Sequence, residues 1–299
     1  ETQGREMFFG IDGNGQDPKS VYLGNNESLI YWDDRRFSPF ESKTYGLKFN
    51  DINTIINSDN GTAISDDPYQ SDALVLSVQD NLFFGFAQTD GDINQYYDIL
   101  DNNLNSIIGS TAVDSQEQSS QEYYHIVYNE FENLIYYIYS DNRDGPYNIY
   151  VQQFNISGSP TWSSPIKIVE TTQGLPSDHN VIDAFSNESG GCVILYNSGN
   201  FLGTKINAIA INSNGEIQTG WSAEGVGLCD YSSDQYIESV SKTPHGILLT
   251  FRDNRSGSND IYAQLISFSG DIHHKFFLEK NVCLQFVLQI FYITILIAM

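Results

Sequence analysis

Apolar and polar positions alternate along this chain in short bursts. Residues 20–23, 28–32 and 45–49 form one set of three strand-like runs, and 73–78, 82–87 and 96–100 form a second. The plan returns at 124–128, 134–139 and 149–154, at 181–185, 192–196 and 206–211, and at 236–240, 247–251 and 261–268. Within each set a tight polar turn, such as Gly24-Asn25-Asn26-Glu27 or Gln79-Asp80-Asn81, joins the first two runs. Up to residue 270 no stretch repeats its apolar residues every three to four positions, so no amphipathic helix is expected there.

The sets recur with a period of about 55 residues, and a variable segment with room for a fourth strand follows each third strand. Four-stranded units of that size read as propeller blades. The expected fold is therefore all-β, a β-propeller of five or six four-stranded blades. It spans 1–272, with units at about 16–55, 56–108, 109–160, 161–216 and 217–272, and 273–299 is a hydrophobic tail. A β-sandwich would account for the strands but not for the regular return of one loop. Residues 7–15 read as a spare outer strand that could complete another blade.

That loop follows the second strand of alternate units. Its fullest copy is Asp253-Asn254-Arg255-Ser256-Gly257-Ser258-Asn259-Asp260-Ile261-Tyr262-Ala263-Gln264. A near copy holds Asp141, Arg143, Gly145, Ile149, Tyr150 and Gln152, and a worn one holds Trp32, Asp33 and Arg35, with Tyr45 later. Units two and four lack the charged pair. The motif resembles a W-x-D-x-R-x-G-x-x-D-I-Y-A-Q tandem repeat of secreted propellers, which look sialidase-like, with Asp-box-like loops. The resemblance implies a propeller and no single activity. Physically, the carboxylate can accept turn amides, glycine permits a positive φ, and the guanidinium can bridge to a neighbouring strand. The expectation is a structural clamp: residues recurring at equivalent positions around a ring should not converge on one ligand.

Composition narrows the chemistry. The net charge is −24, from 14 Lys+Arg against 38 Asp+Glu, which disfavours nucleic-acid partners. Three cysteines, Cys192, Cys229 and Cys283, are too few for a disulfide scaffold; a Cys192–Cys229 bridge or buried free thiols are both open. Sequons at Asn26, Asn60, Asn155, Asn187 and Asn254 are possible N-glycosylation sites of a secreted chain. Residues 282–299 carry no charge and are just long enough for a membrane anchor or a lipid-anchor signal, with a mistranslated end or a ring-closing strand as the other readings. The N-terminus shows no signal peptide and is read as processed or truncated.

Candidate chemistry is sparse. Asp90, Asp92 and Asn94 space oxygens as a calcium loop does, as does 12–17, but neither has the glutamate an EF-hand requires. The five histidines, His125, His179, His245, His273 and His274, form no metal or nucleophile motif. A glycosidase would need two carboxylates roughly 5 to 9.5 Å apart beside a cavity, and acidic residues are too abundant here to choose a pair. The expected function is an extracellular or cell-surface propeller, monomeric, that binds a protein or glycan through its loops. The alternatives are a glycoside hydrolase on a five-bladed propeller and a non-functional fragment of a longer one. A pocket holding close carboxylates with a raised pKa would favour the enzyme.

Overall fold

The computed structural model describes residues 15–36, 40–50, 54–58, 60–65, 67–114, 119–170, 178–200, 203–229 and 234–277. These fold as an all-β propeller of five four-stranded antiparallel blades, with no helix among the described residues. Blade one is β1 (Gly15–Gly24), β2 (Glu27–Asp34), β3 (Lys43–Asn50) and β4 (Thr62–Ala63). Blade two is β5 (Gln70–Val78), β6 (Asn81–Asp90), β7 (Asp92–Leu100) and β8 (Thr111–Ala112). Blade three is β9 (Gln121–Asn129), β10 (Leu134–Asp141), β11 (Asn148–Asn155) and β12 (Ile166–Val169). Blade four is β13 (Asp178–Ser186), β14 (Cys192–Asn200), β15 (Gly203–Ile211) and β16 (Val226–Gly227). Blade five is β17 (Gln235–Thr243), β18 (Gly246–Asp253), β19 (Asp260–Ile266) and β20 (Ile272–Phe277). In each blade the strands lie side by side in chain order.

The fifteen long strands fall where the alternation placed them; the short fourth strands do not. β4, β8 and β16 are two residues long, too short to leave a periodic signal. They lie beyond the unit ends expected at 55, 108 and 216, so those boundaries are corrected outward. The expected end of the propeller at 272 is also corrected. Residues 272–277 form β20, which pairs with β19 from Tyr262↔Phe277 to Ile266↔Ile272. Two successive histidines hid a strand there. The strand expected over 7–15 and the apolar tail at 282–299 lie outside the described residues, as does Cys283.

The chain divides into two compact units, Glu1–Ile168 and Val169–Met299. In the first unit the blades pack face to face because the middle strands are apolar on both sides. Leu82, Phe84 and Phe86 of β6 join Leu29 and Tyr31 of blade one and Ala73 and Val75 of β5 in one core cluster. Phe83, on the opposite face of β6, packs with Ile126, Ile135 and Tyr137 of blade three. Gly85 faces the same way, where a Cβ would meet Ile126 Cδ1 at 2.3 Å and Tyr137 Cε2 at 2.9 Å, so only glycine lets blade three approach this closely. In the second unit Val193, Leu195, Ile206 and Ala208 of blade four pack against Ile247, Leu249 and Phe251 of blade five.

Candidate functional site

The recurrent loop motif forms three clamps, in each of which the arginine is held by the aspartate of its own loop. In blade three the Arg143 amide donates to Asp141 Oδ1 at 2.7 Å, and its guanidinium pairs with Asp141 and, at 2.6 Å, with Asp114 Oδ2. The guanidinium carbon lies 4.3 Å from the centre of the Tyr150 ring. In blade five the Arg255 amide donates to Asp253 Oδ1 at 3.1 Å, the guanidinium pairs with the same carboxylate, and Tyr262 lies beneath it at 4.0 Å. Arg255 Nη2 also reaches Cys229 Sγ at 2.7 Å. Gly145 and Gly257 take φ of 108° and 89° in the turns that follow, and Asp260 pairs with Asp253 across the strand pair and accepts a bond from Ser256.

Blade one corrects the expected register by one residue. Its pair is Asp34 and Arg36, not Asp33 and Arg35. The Arg36 amide donates to Asp34 Oδ1 at 2.8 Å, its guanidinium reaches Oδ2 at 2.6 Å, and the ring of Tyr45 lies 3.9 Å below. Trp32 Nε1 also donates to Asp34 Oδ2, at 2.8 Å. The run Asp33-Asp34-Arg35-Arg36 offers two frames, and only the second puts the aspartate on the face shared with Trp32 and Tyr45. Burial alone would raise the Asp34 carboxyl, but its bonds from Arg36 and Trp32 hold it below the usual range. Each motif guanidinium is thus engaged by a carboxylate of its own loop, and no sialidase-like arginine convergence is seen among the described residues.

Asp90 and Asp92 flank a tight hairpin in which Asp90↔Asp92 and Gln88↔Asn94 are paired, with Gly91 at φ 92°. No group of three or more His, Cys, Asp or Glu suited to a metal occurs among the described residues. Cys192 and Cys229 are buried free thiols, which closes the disulfide alternative. Asn187 is corrected as a glycan site: it is fully buried, and its Nδ2 donates to Ile211 O at 3.2 Å and Gln218 Oε1 at 2.7 Å. Asn26, Asn60 and Asn254 are exposed, and Asn155 Oδ1 accepts two turn amides at 3.0 Å. Among the described residues no helix is long and apolar enough to cross a membrane.

The concave site lies elsewhere, where the first strands β1, β5 and β9 of the first unit run beside one another. A cavity of about 420 Å³ opens there, lined by Lys19, Asp72, Glu122, Tyr123 and His125 among others. Three first strands break their pairing near the same point: β1 between Gln16 and Lys19, β5 between Ser71 and Leu74, and β9 opposite the step from Ile138 to Ser140. At each break one residue turns left-handed: Asp17 at φ 50°, Asp72 at 56° and Tyr123 at 47°. Such bulges re-aim a side chain and are common beside functional sites. Asp72 is exposed into the cavity, and Glu122, half-buried, accepts the Tyr147 hydroxyl at 2.6 Å. Burial first, then the Glu122 carboxylate, pushes the Tyr147 phenol up, so it stays a donor. Asp33, whose Oδ2 accepts the Asp72 amide at 3.1 Å, is 8 % exposed. Burial is the main reason its carboxyl is raised to about 6; the Asp72 amide opposes the shift and the charges of Asp72 and Asp17 add to it.

The sequence offered one signal for this site that the loop motif overshadowed. Gln70, Gln121 and Gln235 each open a first strand and are buried. Their Oε1 atoms accept the amides of Thr44, Gln95 and Ile206 in the preceding blade, at 3.0, 3.0 and 3.1 Å. Asp72 and Glu122 lie just after two of these glutamines.

No known family model matches the chain, and no curated protein matches it. Solved structures of similar architecture include a thermostable family-43 glycoside hydrolase, at 10 % identity over 91 % of this chain and 96 % of that one, with a TM-score of 0.48. An endo-arabinase from Bacteroides thetaiotaomicron has 10 % identity over 84 % and 94 %, with a TM-score of 0.47. An endo-1,4-beta-xylanase from the same organism has 11 % identity over 85 % and 92 %, with a TM-score of 0.46. Identity this low carries no activity across.

Proposed function

We propose that the chain is a glycoside hydrolase acting on neutral glycans, with Asp72 and Glu122 as its two working carboxyls. The observation that carries this reading is the cavity itself. Two carboxyls from neighbouring first strands share it, one on a left-handed bulge, with a third, Asp33, desolvated and bonded to the Asp72 amide. Glycosidic bond cleavage uses two carboxyls on either side of the scissile bond. One carboxyl gives its proton to the departing oxygen while the other assists attack at the anomeric carbon. Water is added across the bond, and its proton restores the acid. Tyr123, 51 % exposed, and Tyr147, edge-on to it at 6.3 Å, offer apolar faces for a sugar ring beside Glu122. The net charge of −24 and the internally paired motif arginines favour a neutral substrate over an acidic one.

The same tyrosines support a second reading, glycan binding without turnover. A panel of chromogenic glycosides and neutral polysaccharides separates the two. Release of product by the wild-type chain, lost in Asp72→Asn and Glu122→Gln, supports hydrolysis; retention on a glycan array with no release supports binding alone.

A further inference from the structure

The bulge that carries Asp72 is held by side chains from both neighbouring blades. The Asp72 amide donates to Asp33 Oδ2 of β2 at 3.1 Å, and the Asp72 carbonyl accepts the Tyr124 hydroxyl of β9. The next carbonyl, of Ala73, accepts Lys19 Nζ of β1 at 2.8 Å. The Val75 amide donates to the Tyr31 hydroxyl of β2 at 3.2 Å. Three side chains, those of Asp33, Tyr124 and Lys19, therefore occupy backbone groups inside the break in the β5–β6 pairing, and Tyr31 holds Val75 just beyond it. Tyr31, Lys19 and Tyr124 would suit any bulge. Asp33 differs: it is a buried carboxylate, a costly choice where a neutral acceptor would satisfy one amide.

We propose that Asp33 is a positioning residue, which fixes the left-handed backbone at Asp72 from the adjacent blade and so aims the Asp72 carboxylate into the cavity. The role assigned to Asp72 rests on the hydrolase reading; the effect on its backbone does not. A left-handed aspartate is tolerated but is not the resting state of a strand residue, so something must hold it. A charged acceptor makes a stronger bond to the amide than a neutral one. The charged groups around Asp33 are Lys19 and Asp17 of β1 and Asp72 itself, and Thr44 of β3 lies 3.5 Å from its Oδ1.

The test is a pair of variants of the full chain, Asp33→Ala and Asp33→Asn, read by crystallography, thermal unfolding and glycoside turnover. In Asp33→Ala the Asp72 φ should leave the left-handed region, with kcat falling at least tenfold and KM nearly constant. Asp33→Asn keeps an acceptor and should hold the φ and recover most of kcat. An Asp72 φ unchanged in Asp33→Ala overturns the proposal, whatever happens to the melting temperature. A φ that relaxes in Asp33→Ala and is kept in Asp33→Asn supports it even if the wild-type chain cleaves no glycoside, in which case only the hydrolase reading falls.

Discussion

Asp33 is a carboxylate that the fold would stabilise more if it were neutral. Its folded pKa of about 6 lies above the ordinary 3.8 because burial penalises the charged form. Its contribution to stability is therefore full below about pH 4 and is lost as pH rises through about 6. At pH 7 the ionised form costs about 3 kcal/mol, by roughly 1.4 kcal/mol for each pKa unit. Asp33→Asn, which keeps the acceptor, should raise unfolding stability at pH 7 by up to that amount, with the gain vanishing below about pH 4. Denaturant melts at both pH values check this, and equal gains at both would contradict it. The clamp arginines make the opposite case. Arg36→Ala leaves Asp34 buried without its cation and should cost about 2–4 kcal/mol. Arg35→Ala, one residue away and exposed, should change stability by less than about 0.5 kcal/mol. Thermal melts of the two variants compare them directly, and the reverse ranking would restore the frame first read from the sequence.

At the scale of the strand, neighbouring blades are joined by repeated small devices. Gln121 accepts the Gln95 amide, while Gln95 Nε2 donates back to the Gln121 carbonyl at 2.7 Å. Gln121→Ala removes the acceptor from a buried amide and should cost about 1–3 kcal/mol. Hydrogen exchange at Gln95 should quicken selectively; a uniform change along the blade would argue against a local tie. Gly85→Ala should cost about 1–3 kcal/mol by overpacking against Ile126 and Tyr137. Most of the strands were legible because burial on both faces leaves long apolar runs such as Leu82-Phe83-Phe84. The fourth strands were not, since two paired residues make no pattern, nor was β20, whose residues 273–277 were counted with the tail. The carboxylates were hidden for a different reason. Among 38 acidic residues, only the glutamine that opens each first strand stands near Asp72 and Glu122; what sets them apart is a bulge, a property of pairing rather than of composition. The loop motif was legible as a motif and misleading as a site, because its arginines are held by their own aspartates.

At the scale of the molecule, five repeated blades supply the frame, and the side chains at the repeated bulge supply the difference: Asp17, Asp72 and Tyr123 in the first three blades. Within the first unit those first strands line one cavity, and its carboxyls come from two of them. On charge alone, a strongly acidic chain favours neutral over anionic ligands at this cavity. The most direct test of the account is product release from a panel of neutral chromogenic glycosides by the wild-type chain, Asp72→Asn and Glu122→Gln, each verified as folded by circular dichroism. Turnover of at least one glycoside is expected, reduced at least about 100-fold in both variants. Turnover that survives both substitutions, or no turnover of any glycoside by the wild-type chain, would contradict it.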